Sequence, residues 1–292
     1  MPEINNNDDA IAYWNDVWVS AQKANRASGR GRECWEAWDE EADARAYWQR
    51  VSAREAERGR VDEFLSMIGP DWSVLDIGAG PGNISVPLAA KAARVTAVEP
   101  ARGMGAVLRE NAEARGLVNI DIVAKTWDAV DPAADLRGPY DLVVASYSLG
   151  MLDLLESLRK ILAVARREVA LYWHAGPQAW DVDAARLWPL LHGRGFHPIP
   201  KADVVFNLLY AMGVYPDVRV IPSSFRTTFP SMERAMAEYG ARFGVAPDDE
   251  ARNRLLRDYL EANLIEENGA LAQRARNTGM RISWTVKGND NA

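Results

Sequence analysis

The stretch that most limits what this chain can fold into is DIGAGPGN, Asp76 to Asn83, set between the apolar run WSVL and a segment of helical character. Its glycines at alternate positions, Gly78, Gly80 and Gly82, suit a sharp strand-to-helix turn in which positive φ is allowed and no Cβ blocks an approaching ligand. Pro87 does not oppose a helix that starts near Ile84, because an N–H in the first turn has no intrahelical partner to lose. The turn predicts an open α/β sheet that binds its ligand at the carboxyl ends of the strands.

The surrounding pattern agrees. Strand and helix alternate from residue 73: a strand at Ser73 to Gly78, a helix at Ile84 to Ala93, a strand at Arg94 to Glu99, then a helix whose face is Met104, Val107, Leu108 and Ala112 and which Gly116 ends. NIDIVAK, Asp141 to Ser146 and Glu168 to Trp173 supply three more strands, with a helix around Leu155 and Leu158. This alternation predicts a doubly wound parallel sheet with helices on both faces. Before it lies a polar segment in which Trp35, Trp38, Ala42, Ala46 and Gln49, and then Val61, Phe64, Leu65 and Ile68, fall at helical spacing; the aromatic stripe predicts helices packed on the main domain. After Gly176 come helical faces at Met232, Met236, Tyr239 and Phe243 and at Leu256, Tyr259, Leu260 and Leu264, with strands expected at Asp217 to Ile221 and Arg281 to Lys287. The chain divides into a helical N-terminal cover at 1–60, a ligand-binding core at 61–175, and cover helices with closing strands at 176–292.

The dinucleotide pattern Gly-x-Gly-x-x-Gly fails in both registers, ending on Asn83 or Ser85. Asp76 stands two places before the first glycine, where a carboxylate repels a pyrophosphate but tolerates a ligand carrying ammonium and sulfonium charge, by direct contact, through water or by pinning the loop. The net charge of -7 offers no basic field for nucleic acid, and no run of apolar residues is long enough for a membrane span. Cys34 is the only cysteine and His174, His192 and His197 lack a ligand spacing, so neither an intrachain disulfide nor a metal is expected. The first residues lack the charge and apolar pattern of a signal peptide, and a cytoplasmic location is the expectation.

VLDIGAGPGNISVPLA together with AVEP resembles the nucleotide loop of class I S-adenosylmethionine-dependent methyltransferases, over about residues 60 to 175. The resemblance implies a Rossmann-like, seven-stranded sheet whose last strand, Arg281 to Lys287, is antiparallel, with S-adenosyl-L-methionine as cofactor and S-adenosyl-L-homocysteine as product. It implies that Asp76, Gly78, Ala79, Gly80, Gly82 and Asn83 form the cofactor turn and that Glu99 accepts both ribose hydroxyls. Pro100 and Met104 then pack on the adenine, Trp127 and Asp128 read its edge, and Ser146 and Tyr147 face the transferable methyl. The sequence ASYSLGM after the fourth strand lacks the Asn/Asp-Pro-Pro-Tyr/Phe of amide and adenine methylation and the carboxylates of magnesium-dependent relatives. His174, in YWHAG at the end of the fifth strand, is the candidate general base with Tyr147 beside it, as its ordinary pKa suits neutral pH. The aromatic load of both covers, including Trp180, Trp188, Phe196, Phe206 and Tyr210, leads us to expect an enclosed apolar cleft. The expected function is direct methyl transfer to a small organic acceptor; a protein acceptor, or cofactor binding without catalysis, are the alternatives.

Overall fold

The computed structural model describes residues 7–28, 34–52 and 55–286. The chain enters through α1 (Asn7–Ser28), a 3-10 turn at Cys34–Trp38, α2 (Glu41–Val51) and α3 (Glu55–Met67). The alternating core follows as β1 (Ser73–Ile77), α4 (Ser85–Ala89), β2 (Arg94–Val98), α5 (Arg102–Glu113), β3 (Ile120–Val123), α6 (Pro132–Asp135), β4 (Tyr140–Ser146), α7 (Leu154–Val164) and β5 (Ala165–His174). Then come α8 (Ala179–His192), α9 (Ala202–Ala211), β6 (Asp217–Phe229), α10 (Met232–Phe243), α11 (Glu250–Asn263), β7 (Ile265–Glu267) and β8 (Ala270–Thr285).

The sheet runs β3-β2-β1-β4-β5-β8-β6, with β7 pairing β8 off this path. β1 to β5 are parallel, and β8 is antiparallel to both of its neighbours. The alternation of strand residues explains the layers. Leu75 and Ile77 point to one face, into a core shared with Trp18, Leu158 and Leu208, while Val74 points to the other, against Phe64 and Leu88. All of β1 is buried, as expected of a parallel strand covered on both faces.

Among the described residues the expected seven strands are eight, and the closing strand, expected at Arg281 to Lys287 with Lys287 outside the described residues, begins far earlier, at Ala270. β8 has 16 residues; Gly279 pairs with His174 at the carboxyl end of β5, and residues 270–278 run on past it. At about 3.3 Å per residue that overhang reaches about 30 Å on the side where the core strands end. Its backbone groups need partners there: β6 supplies them along one edge as far as Phe229 opposite Leu271, and β7 along the other at Ile265 opposite Ala272. The overhang is rich in Gln273, Arg274, Arg276 and Asn277, so its strand period is hidden by polarity.

Helix ends follow local chemistry. Asp153 caps α7 by accepting from the Glu156 N–H at 3.0 Å. A reciprocal Gln178–Asp181 pair opens α8, and Gly193 and Gly244 close α8 and α10 in the left-handed region. Among the described residues no helix is long and apolar enough to cross a membrane.

Candidate functional site

The glycine turn sits where β1 leaves the sheet. The Gly78 and Ala79 N–H groups both donate to the Val98 carbonyl, at 2.8 and 3.1 Å, which folds the turn over the end of β2. Gly78 takes φ +71° and Gly80 φ +57°. At Gly78 a Cβ would collide with the side chain of Ser148, whose hydroxyl donates to the Ile77 carbonyl. At Gly80 a Cβ would meet nothing within 4 Å, so this residue presents bare backbone to whatever occupies the crevice. Ala79 and Gly82 are buried in the turn and Asn83 half-buried, with Gly82 held against Val86 and Leu108.

Two buried carboxylates hold this turn. Asp76 accepts from the Ser85 hydroxyl at 2.6 Å, so of the three roles open to it from sequence the one on view is pinning the loop to the start of α4. Burial pushes its pKa up to about 6, against the hydrogen bonds to Ser85 and the field of Arg60. Glu99, just beyond β2, takes the Gly80 N–H on one oxygen and the Ala101 N–H on the other, both at 2.8 Å. Burial drives its pKa up to about 7, partly offset by those two amides, with Asp76 adding a small upward push. Each oxygen keeps a free lone-pair direction, so the carboxylate can still accept from a ligand.

Around it, Pro100 is half-buried and Met104 buried in a cluster with Ala44 that Trp35, Trp38, Tyr47 and Trp48 pack against. Asp39 accepts from the Arg102 N–H at 2.8 Å, and a Cβ at Gly103 would strike the backbone of Trp38 and Glu40. The N-terminal cover is thus seated on the first turn of α5, directly beside Glu99. Trp127 turns its indole away from the crevice into the main core, donating to the Ser157 carbonyl at 3.2 Å, whereas Asp128 is exposed.

Ser146 ends β4, half-buried, and Tyr147 follows in the left-handed region at φ +57°, unusual for a residue with a Cβ. The Tyr147 ring lies 4.9 Å from the His174 ring, 6.4 Å from that of Tyr172, and under the Arg60 guanidinium at 5.1 Å. Its hydroxyl occupies the space a side chain at Gly279 would need. Arg60 also covers Tyr172 at 5.4 Å. Burial and the Lys201 ammonium hold His174 well below the ordinary imidazole value, at about 4. His174 is therefore neutral at physiological pH, but a weaker base than the sequence led us to expect. Trp180 meets its ring edge-on at 5.2 Å.

The structure brings Asp76, the glycines, Glu99, Ser146, Tyr147 and His174 to one end of the sheet. Sequence reasoning missed Ser85, Ser148, Asp39 and Arg60. Ser85 and Ser148 are small polar residues beside the glycine turn and after β4, a faint signal; Asp39 and Arg60 gave none, as each arrives from a distant helical segment. The enclosed aromatic cleft is also corrected. Trp35, Trp38 and Trp48 pack on α5, Trp188 and Phe196 join the cluster under α8 and α10, Phe206 packs on the main core and Tyr210 is exposed. Among the described residues Tyr147, Trp173 and Trp180 put rings within about 5 Å of His174, and of these Trp173 is buried in the main core.

A family model described as a methyltransferase domain matches residues 74–168. An uncharacterized protein of Haemophilus influenzae is 36% identical over 101 residues, 35% of this chain and 37% of that protein. A 23S rRNA (uracil(1939)-C(5))-methyltransferase, RlmD, of Stenotrophomonas maltophilia is 34% identical over 115 residues, 39% of this chain and 26% of that enzyme. The chain thus spans about a third of the length of these curated relatives. Among solved structures, the YcgJ protein of Bacillus subtilis superposes with a TM-score of 0.51 at 15% identity, over 77% of this chain and 98% of that one, and so supports the fold alone.

Proposed function

We propose, from the premise that the chain belongs through residues 74–168 to the class I S-adenosylmethionine-dependent methyltransferase family, that it transfers the methyl group of S-adenosylmethionine to a small organic acceptor by in-line displacement. The observation that carries the reading is Glu99: a carboxylate fixed by two backbone amides, with acceptor capacity left over, directly above the bare backbone of Gly80. A nucleoside with a pair of ribose hydroxyls matches that carboxylate, and the open Cα of Gly80 admits the chain of its methionine part.

When bound, the sulfonium supplies a methyl carbon already activated for displacement; the protein supplies alignment and the removal of water. Gly78 to Gly80 would hold the methionine portion, while Asp76 keeps the turn in place through Ser85. Arg60, held over Tyr147 and Tyr172 within electrostatic reach of Asp76, provides the cation for the methionyl carboxylate. Pro100 and Met104 would border the adenine, with the Trp127 backbone and the Asp128 carboxylate at its edge. Ser146, Tyr147 and His174 face the methyl. The bound donor would supply the methyl and its sulfur would keep the bonding electron pair, while His174 or water would take the acceptor's proton.

A macromolecular acceptor is the second reading, favoured by the RlmD similarity. Against it stand the net charge of -7 and the small share of that enzyme matched, so whatever part of it reads RNA has no counterpart established here. The test is incubation with isotope-labelled S-adenosylmethionine and, separately, metabolite extract, ribosomal RNA and cell protein. Label in the metabolite fraction supports the reading. Label in RNA or protein overturns the acceptor class, and calorimetry showing no binding of S-adenosylhomocysteine overturns the whole.

A further inference from the structure

Beside Tyr147, the carboxyl end of β5 meets the first turn of α8 and the segment before α9 in a polar cluster that starts at His174 and extends past the methyl-donor crevice through Gln178, Asp181 and Lys201. Lys201 pairs with Asp181 at 2.5 Å, and the same Asp181 oxygen accepts from the Gln178 N–H at 3.1 Å. Asp181 is 5% exposed, and its other oxygen has no hydrogen-bond partner among the described residues. His174 Nδ1 is likewise buried and without a partner among the described residues, although the Gln178 side chain hydrogen-bonds the ring and Lys201 and Asp181 act on it electrostatically. Two unsatisfied polar atoms in one cluster are unusual, since buried polar groups are nearly always paired.

The chemistry of the cluster selects what can complete it. The ring donates its N–H to the Gln178 side chain, and assigning that proton to Nε2 leaves the unpartnered Nδ1 as an acceptor like the free Asp181 oxygen, so an anionic carboxylate ligand, without protons to give, leaves both unmet. An ammonium has the protons, but Lys201 already neutralises Asp181 and Arg60 stands over Tyr147, so the local field opposes another cation. A neutral hydroxyl satisfies an acceptor, and a charge developing on its oxygen is welcomed by Lys201. The flanking surfaces are the rings of Tyr147 and Trp180, which suit a flat apolar body.

We propose that this cluster is the acceptor subsite and that it recognises a hydroxyaromatic compound, through His174 Nδ1 and Asp181 with Lys201 behind them. The inference rests on the methyltransferase reading and narrows its acceptor class.

The test compares three probes on one scaffold, 2-naphthol, 2-naphthoate and 2-naphthylmethylamine, binding to the full-length protein loaded with S-adenosylhomocysteine. 2-Naphthol should bind at least about tenfold tighter than the other two, the worth of roughly one hydrogen bond. That margin should collapse in Asp181→Asn, and in His174→Phe, which keeps the ring volume and leaves the Lys201–Asp181 pair intact. Equal or tighter binding of the acid or the amine overturns the proposal, as does a margin that survives both substitutions. Calorimetric affinity for S-adenosylhomocysteine is measured on every sample: unchanged values in the variants assign the loss to the acceptor subsite, and no binding by the wild-type protein indicts the methyltransferase reading instead.

Discussion

Glu99 shows at the scale of one residue how a binding site is held at a cost to the unliganded protein. Its carboxyl is at about 7 in the fold against an ordinary 4.5, because burial outweighs its two amide donors. The folded chain thus holds the proton more tightly than the unfolded one, and the stability this contributes below pH 4.5 is lost as pH rises through 7, about 3 kcal/mol in full. Asp76 acts in the same direction with its value near 6, while His174, depressed to about 4, loses stability as pH falls below 6.5. Between pH 4.5 and 6 the two carboxyls outweigh the one histidine, and between 6.5 and 7 Glu99 acts alone, so melting temperatures of the ligand-free protein should fall as pH rises from about 4.5 to about 7 and then level off; S-adenosylhomocysteine should flatten that fall by donating hydroxyls to the charged form, and a fall identical with and without ligand contradicts the ribose role of Glu99. The glycines divide differently. Gly78→Ala places a Cβ into Ser148 at positive φ and should cost about 3 kcal/mol in chemical denaturation. Gly80→Ala bears the φ strain of about 1–2 kcal/mol alone but should weaken S-adenosylhomocysteine binding more than Gly78→Ala does per unit of lost stability, read by calorimetry. These positions were legible in sequence because their roles demand particular residue types. Arg60 was not, since nothing local to an exposed-looking helix reveals that its guanidinium ends over two tyrosine rings.

Among elements, α5 depends most on a partner the local sequence does not show. Ala101 precedes it without a capping side chain, and the N–H of Arg102 is met by Asp39, 63 residues earlier. Capping from a distance ties the N-terminal cover to the helix that carries Met104 and begins two residues after Pro100. Asp39→Ala should destabilise the protein by about 1 kcal/mol, the usual worth of a cap, and should speed hydrogen exchange of the Arg102 amide while leaving the amides of β1 and β4 unchanged; equal acceleration in all three places contradicts a local cap. The parallel strands could be read in advance because burial on both faces writes them as apolar runs, VVAS in β4 being the clearest. β8 could not, because its overhang beyond β5 has no continuous apolar run; Asn268-Gly269, both at positive φ, marks the tight turn in from β7 but not the length of the strand, which is set by β6 and β7 alongside it.

For the whole molecule, the apolar interior is divided, and the division follows the functional parts. The sheet has a core on each face, whereas α8, α10 and α11 gather on the β6–β8 overhang around Leu187, Tyr239, Phe243 and Leu260 in a cluster of their own. A buried carboxylate joins these elements: Asp183, 3% exposed on α8, accepts from the Tyr239 hydroxyl at 3.0 Å, the Tyr259 hydroxyl at 2.7 Å and the Gln273 amide. Burial and this carboxylate hold both tyrosine protons firmly in place, well above the usual phenol range. Three donors from α10, α11 and β8 thus converge on one residue of α8, the helix whose first turn supplies Asp181 to the proposed acceptor subsite. Asp183→Ala strands those donors in an apolar setting and should cost about 2–4 kcal/mol. Because the overhang has its own apolar cluster, the loss should stay regional, as partly independent units open separately from a stable core. Hydrogen exchange should quicken across α8, α10, α11 and residues 270–278 yet remain slow in β1, β2 and β4, with S-adenosylhomocysteine affinity little changed. Equal acceleration through the sheet would mean that cover and core unfold as one, and that the acceptor side cannot loosen without releasing the methyl-donor crevice.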